Sequence, residues 1–166
     1  MAAGATYEPI ASQTLSSTAS TITFSSIAAS WTDLRVTITG TITTGTTNLY
    51  CKFNGSSSGY SYTYLYGDGT AASSGSGTAQ TSIILTASAI RTTPTFRTMD
   101  IFSYAGSTYK TVLITENADA NGSGAVNMFV ELWQSTSAIT SMVFSLGAST
   151  FAAGTSITLY GIKNSL

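Results

Sequence analysis

DLRVTITG, Asp33–Gly40, alternates Leu34, Val36 and Ile38 with Arg35, Thr37 and Thr39. A side-chain period of two marks a strand with one face buried and the other wet. The same period recurs along the chain. STITFSSI, residues 20–27, sets Ile22 and Phe24 against Thr21 and Thr23. Comparable runs cover 48–53, 60–66, 81–86, 96–104, 109–115, 126–133, 139–146 and 155–162. A further short strand is expected near residues 7–10, where Pro9 suits a sheet edge because it donates no ladder hydrogen bond. No segment sustains a 3.6-residue period, and the nearest helical signal is a single turn over 27–32.

Turn signals separate these runs: Asn54-Gly55, Gly67-Asp68-Gly69, the Ser/Gly tract 73–78, Ala105-Gly106-Ser107 and Asn121-Gly122. The spacing predicts an all-β fold, two antiparallel sheets packed face to face as a β-sandwich. A jelly roll, with about eight core strands plus extras, fits the length best. An immunoglobulin-like sandwich, nearer 100 residues, is the alternative. A chain of 166 residues reads as one domain, 1–166, with a short N-terminal arm over about 1–12. The tract 60–77 is the compositional oddity. It reads as a tyrosine-alternating strand leading into a Gly/Ser/Ala loop that is flexible or ordered by a partner.

Composition narrows function. Charged residues make up 8% of the chain, against about 25% in ordinary soluble domains. Ser and Thr fill the polar positions instead. There is no histidine, which removes the commonest general base and metal ligand. Ser-His-Asp and Cys-His arrangements and His-based zinc sites are thereby excluded. Cys51 is the single cysteine. It alternates with polar neighbours and reads as a small buried hydrophobe, with Lys52 on the opposite face of the strand. Net charge is −1, and the six basic residues are scattered, so no stripe exists to neutralise nucleic-acid phosphates. No apolar run approaches a membrane span, and mean hydropathy is only +0.23. The first residues lack the pattern of a secretory signal, which points to synthesis in a cytoplasm.

Three clusters bear on chemistry. A glycosidase needs two carboxylates facing one cleft. Asp100 in MDIF and Glu131 in VELW lie in strand patterns beside aromatics, with outward or paired acids as the plainer reading. Glu116 to Gly124 places Asp119, Asn121 and Gly122 at spacings that echo a calcium loop without completing one, and a plain turn is favoured. Asn54 and Asn121 each open a glycosylation pattern. The strongest local signal is YSYTYLY, residues 60–66, in which Tyr60, Tyr62, Tyr64 and Tyr66 share one strand face. Tyrosine offers large contact area and a polar tip, so the row reads either as a protein- or glycan-contact face or as cross-strand aromatic packing. Trp31 and Trp133 read as core or sheet-edge anchors. No catalytic residue, cofactor or metal is expected.

Residues 135–164 carry a resemblance. Ser137, Ile139-Thr140-Ser141 with Met142 and Phe144, then Phe151, Gly154-Thr155 and Leu159-Tyr160-Gly161 resemble the closing segment of small β-sandwich virion proteins of tailed bacteriophages, including those of cyanobacteria. TYEPIAS (6–12), ITFSSI (22–27), WTDLRVTITG (31–40), FNG (53–55), YSYTYLYG (60–67) and TSI (81–83) are similar too, so the resemblance covers most of the chain. It implies a capsid decoration or cement protein on the virion exterior. Such a protein binds the major capsid protein, associates with itself as a homotrimer and has no enzymatic role. Related modules in tails and fibres keep open a receptor- or carbohydrate-binding module whose partner would be a glycan. A neutral, hydroxyl-rich β surface agrees with assembly, because interface centres exclude charge.

Overall fold

The computed structural model describes residues 6–86, 90–119 and 123–163. Among them the chain forms twelve strands and no helix. Four make one sheet in the order β2-β11-β4-β7: β2 (Thr21–Phe24), β11 (Met142–Leu146), β4 (Leu49–Phe53) and β7 (Ile83–Ile84). The larger sheet begins with β1 (Tyr7–Thr14), β12 (Ser156–Ile162), β3 (Asp33–Gly40) and β8 (Thr95–Phe102). It continues with β9 (Lys110–Asp119), β10 (Gly124–Trp133), β5 (Tyr60–Gly67) and β6 (Ala72–Gln80). Every pairing in both sheets is antiparallel.

The pairing separates a jelly roll from an immunoglobulin-like sandwich. β1 pairs with β12, β2 with β11, β3 with β8 and β4 with β7. The first half of this set is therefore matched to the second half in reverse order, as when one long two-stranded ribbon is rolled into two sheets. Those eight strands are the jelly-roll set. Two hairpins are inserted into it: β5–β6 between β4 and β7, and β9–β10 between β8 and β11. Both add to the same side of the larger sheet, beyond β8. They form a four-stranded wing, over which the smaller sheet reaches through β7, in contact with β5 and β10.

Alternation builds the core. Leu34, Val36 and Ile38 of β3 are fully buried, as are Met99 and Ile101 of β8 and Val112 and Ile114 of β9. They pack with Ile22, Phe24, Leu49, Cys51, Phe53, Met142 and Phe144 from the smaller sheet in one cluster. Trp133 stacks on Tyr60 and meets Phe53 edge-on, with ring centroids 6.0 and 5.6 Å apart. The Asn54-Gly55 turn has positive φ at both residues (51° and 69°), the left-handed pair that this dipeptide tolerates best. Asn54 then ties the turn to the segment before β11. Its Oδ1 accepts from the backbone N–H of Thr140 and Ser141, and its Nδ2 donates to Ala138 O at 2.8 Å.

Two expectations need correction. Residues 27–32 form no helical turn. The Tyr104 hydroxyl donates to Ala28 O and accepts from Trp31 N, while Ile27 N donates to Thr140 O, and these bonds hold the segment open. The tract 73–78 is strand, within β6, rather than loop. Gly75 and Gly77 lie opposite Tyr64 and Tyr62, whose rings rest where glycine side chains would be. Ring cover of this kind makes good the packing that an edge glycine lacks. The short strand expected near residues 7–10 is present as β1, extended to Thr14 and paired along β12 with an irregularity between Pro9 and Ala11.

Candidate interaction surface

The tyrosine row lies on the inner face of the wing, and its members differ. Tyr60 is 1% exposed and belongs to the core. Its hydroxyl accepts from Phe53 N at 3.0 Å, and burial pushes its pKa up to about 12. Tyr62, Tyr64 and Tyr66 are half-buried. Tyr62 and Tyr64 pack against Phe129, the Tyr64 centroid 5.4 Å away. The Tyr66 hydroxyl points toward Asp68 Oδ2 at 3.5 Å. Asp68 closes the β5–β6 loop by accepting from Thr70 N and Ala71 N, both at 2.9 Å. With the Thr70 hydroxyl as a further donor, these bonds lower its carboxyl to about 2. The row thus serves cross-strand packing first, and its exposed part is limited to the edges of three rings.

A polar row crosses the inner face beside it. Arg97, Glu116, Asn127 and Tyr66 stand in register across β8, β9, β10 and β5. Arg97 Nη2 donates to Glu116 Oε1, and Arg97 Nη1 donates to Thr95 Oγ1 at 2.6 Å. Asn127 Nδ2 donates to the other Glu116 oxygen at 2.8 Å. Both members of the ion pair are fully buried. Such a pair stabilises little against an apolar isostere, but losing one partner strands the other charge. Lys110 is buried as well, its Nζ donating to Gly106 O and Thr108 O, and desolvation lowers its pKa.

The two strand carboxylates are not brought together. Asp100 faces outward and grips Arg35 through Nε and Nη2, with Tyr7 stacked 5.3 Å from the guanidinium carbon. Glu131 faces inward and is 1% exposed. Its Oε1 accepts from Ile84 N at 2.9 Å, which ties β7 to β10, while Oε2 has no partner among the described residues. Burial pushes this carboxyl up to about 9. The acids lie on opposite faces of one sheet, so no glycosidase cleft forms between them. Cys51 is fully buried, and desolvation holds its thiol well above the usual range. In the calcium-like loop, the Glu116 carboxylate is held by Arg97 and Asn127. Asn121 and Gly122 lie outside the described residues. No group of three or more His, Cys, Asp or Glu side chains converges among the described residues.

The outer face of the wing carries residues that the sequence reading missed. Leu65, Val126, Met128 and Val130 are 62%, 65%, 47% and 52% exposed. Leu65 is opposite Met128 in the β5–β10 register, and Val130 is opposite Leu113 of β9. The signal was present in GAVNMFVELW. If Trp133 points inward, period two sends Asn127 and Glu131 inward with it and leaves Val126, Met128 and Val130 outside.

No family model matches the chain, and no curated protein or solved structure matches it.

Proposed function

We propose that this protein is a structural component of a tailed-bacteriophage particle, a homotrimer that decorates the capsid exterior and cements its major capsid protein subunits. One observation carries the reading beyond the resemblance. The chain has six basic and seven acidic residues, and the fold buries Arg97, Lys110, Glu116 and Glu131. Arg35 and Asp100 are paired to each other on the surface. The exposed charge is therefore scarcer than the sequence suggests, on a surface of Ser, Thr and apolar residues. Such a surface lacks the charge that keeps free monomers apart and suits one that is covered in use. A rigid jelly roll suits a part that carries load without chemistry. A trimer multiplies modest contacts because it engages several shell subunits at once. Binding to the assembled shell stabilises that shell by mass action.

The test is removal and return. Particles stripped of the protein should release DNA at lower temperature or milder osmotic shock, and adding the purified protein back should restore resistance. Adsorption to cells should be unchanged. Stripped particles that remain fully stable but fail to adsorb would replace this reading with the receptor- or glycan-binding module.

A further inference from the structure

The jelly-roll set is complete without β5, β6, β9 and β10, so the wing is an addition to a finished fold. Its inner side is closed by its own tyrosines, Phe129 and the buried polar row. No described residue closes its outer side. There Leu65, Val126, Met128 and Val130 are 47–65% exposed, flanked by half-buried Leu113 and Leu132. The outward neighbours Ser61, Thr63, Thr111, Thr115 and Asn117 carry no charge. We infer that this outer face packs about a threefold axis against the corresponding faces of neighbouring copies of the chain. The inference rests on the self-association in the proposed function and adds the surface that performs it.

Charge selects the occupant. Asp100, opposite Leu113 on this outer side, is already taken up by Arg35, so a charged partner side chain buried here would lose hydration with no free counter-charge. Ordinary protein surfaces are rich in charge, whereas this face is not, so a second copy brings none into the contact. Shape agrees. The apolar side chains border two shallow depressions on the same face, of about 310 and 440 Å³. The first lies between Leu65, Ala72, Val126 and Met128, and the second between Thr63, Thr78, Val130 and Leu132. One surface thus presents both ridges and hollows, so the ridges of one copy can enter the hollows of the next around the axis. The neighbouring edge strand β6 strengthens the case. ASSGSGTAQ has neither charge nor proline, the usual guards of an open edge. An edge left so unguarded is safe when an adjacent subunit blocks access to it.

The experiment uses the full chain. Met128→Lys and Leu65→Lys each place a charge at the centre of the face, and Thr23→Lys, at an exposed position of β2 in the smaller sheet, is the control. Light scattering and sedimentation should show an assembled wild type and an assembled control. The two face variants should be monomeric, with self-association weakened roughly 30-fold or more, as when a well-packed anchor is lost. Far-UV and near-UV circular dichroism should show all of them folded. Met128→Ser serves if a lysine variant fails to fold. Face variants that stay assembled, or a wild type that is monomeric at tens of micromolar, overturn the interface. A monomeric wild type whose particle binding is abolished by Met128→Lys assigns the face to the shell protein instead and leaves the virion reading standing. An assembled wild type that never binds or stabilises a particle defeats that reading and leaves the interface intact.

Discussion

Glu131 makes the stability of this protein depend on pH in a window where little else titrates. Its carboxyl is buried between the sheets and faces Tyr62 of β5, Val112 of β9, and Ile84 and Cys51 from the smaller sheet, with no cation among them. Burial raises its pKa from 4.5 to about 9 in the folded state. The sign follows from linkage. The native state holds a proton that the unfolded chain releases above pH 4.5. The stabilising contribution is therefore fully present below that pH and is lost progressively as pH rises to about 9. The slope is about 1.4 kcal/mol per pH unit, so the loss at neutral pH is on the order of 3 kcal/mol. Glu131→Gln keeps an oxygen to accept from Ile84 N and cannot ionise. Urea midpoints of both proteins, measured from about pH 5 to about pH 8.5, should lie close together at the acid end. They should then diverge, with the variant increasingly the more stable. The absence of histidine keeps the window clear of the group that usually dominates it. Parallel curves across that range would refute the claim that burial holds Glu131 protonated.

Three other substitutions probe the frame. Glu116→Gln leaves the Arg97 guanidinium inside the sandwich without its counter-charge, and denaturant unfolding should show a loss of about 3 kcal/mol or more. Gly161→Ala drives a methyl into the Trp31 ring, which lies directly on the glycine beneath Lys163. A shifted tryptophan emission and a loss of about 2 kcal/mol are expected, whereas an unchanged spectrum would show that the ring does not rest there. Asn54→Ala removes the bonds to 138–141 and puts a β-carbon residue with a poor left-handed preference at φ 51°. Thermal unfolding should report a loss of about 2 kcal/mol, which Asn54→Gly should recover only in part.

Strand existence was legible because period two is local. β3 was read at its true bounds from residues 33–40 alone, since Leu34, Val36 and Ile38 are all fully buried. The jelly roll was legible as a class but not as a topology, because pairing β1 with β12 or β2 with β11 joins residues more than a hundred positions apart. β6 was missed for a tertiary reason. ASSGSGTAQ has weak strand propensity, and it becomes a strand because Tyr62 and Tyr64 reach across to cover Gly77 and Gly75. The tyrosine row is plain in the sequence, but its inward service depends on those glycines and on Phe129, which no spacing rule couples to it. Asp100 and Glu131 looked alike in sequence. They differ because β8 and β10 present them to opposite faces.

The residues of β10 bear most directly on why the wing exists. Asn127 and Glu131 are turned inward, where the carboxyl must be kept protonated, and Val126, Met128 and Val130 are turned to the outside. A strand that only had to fold would gain from the reverse arrangement, with valines inside and the carboxylate in water. The observed order carries a desolvation penalty on one face and exposed apolar area on the other. Folding alone does not account for it. It becomes favourable once the outer face is also removed from water, because the apolar side chains then contribute to contact energy and no charge stands in the way. The inner polar groups meanwhile set the register of the wing. Arg97 and Glu116 meet only when β8 and β9 are in step, Asn127 reaches Glu116 only when β10 is, and Ile84 reaches Glu131 only when β7 closes over the same strand. Specific inner contacts and an apolar outer face are together what two inserted hairpins need to hold one ordered face out from a finished jelly roll.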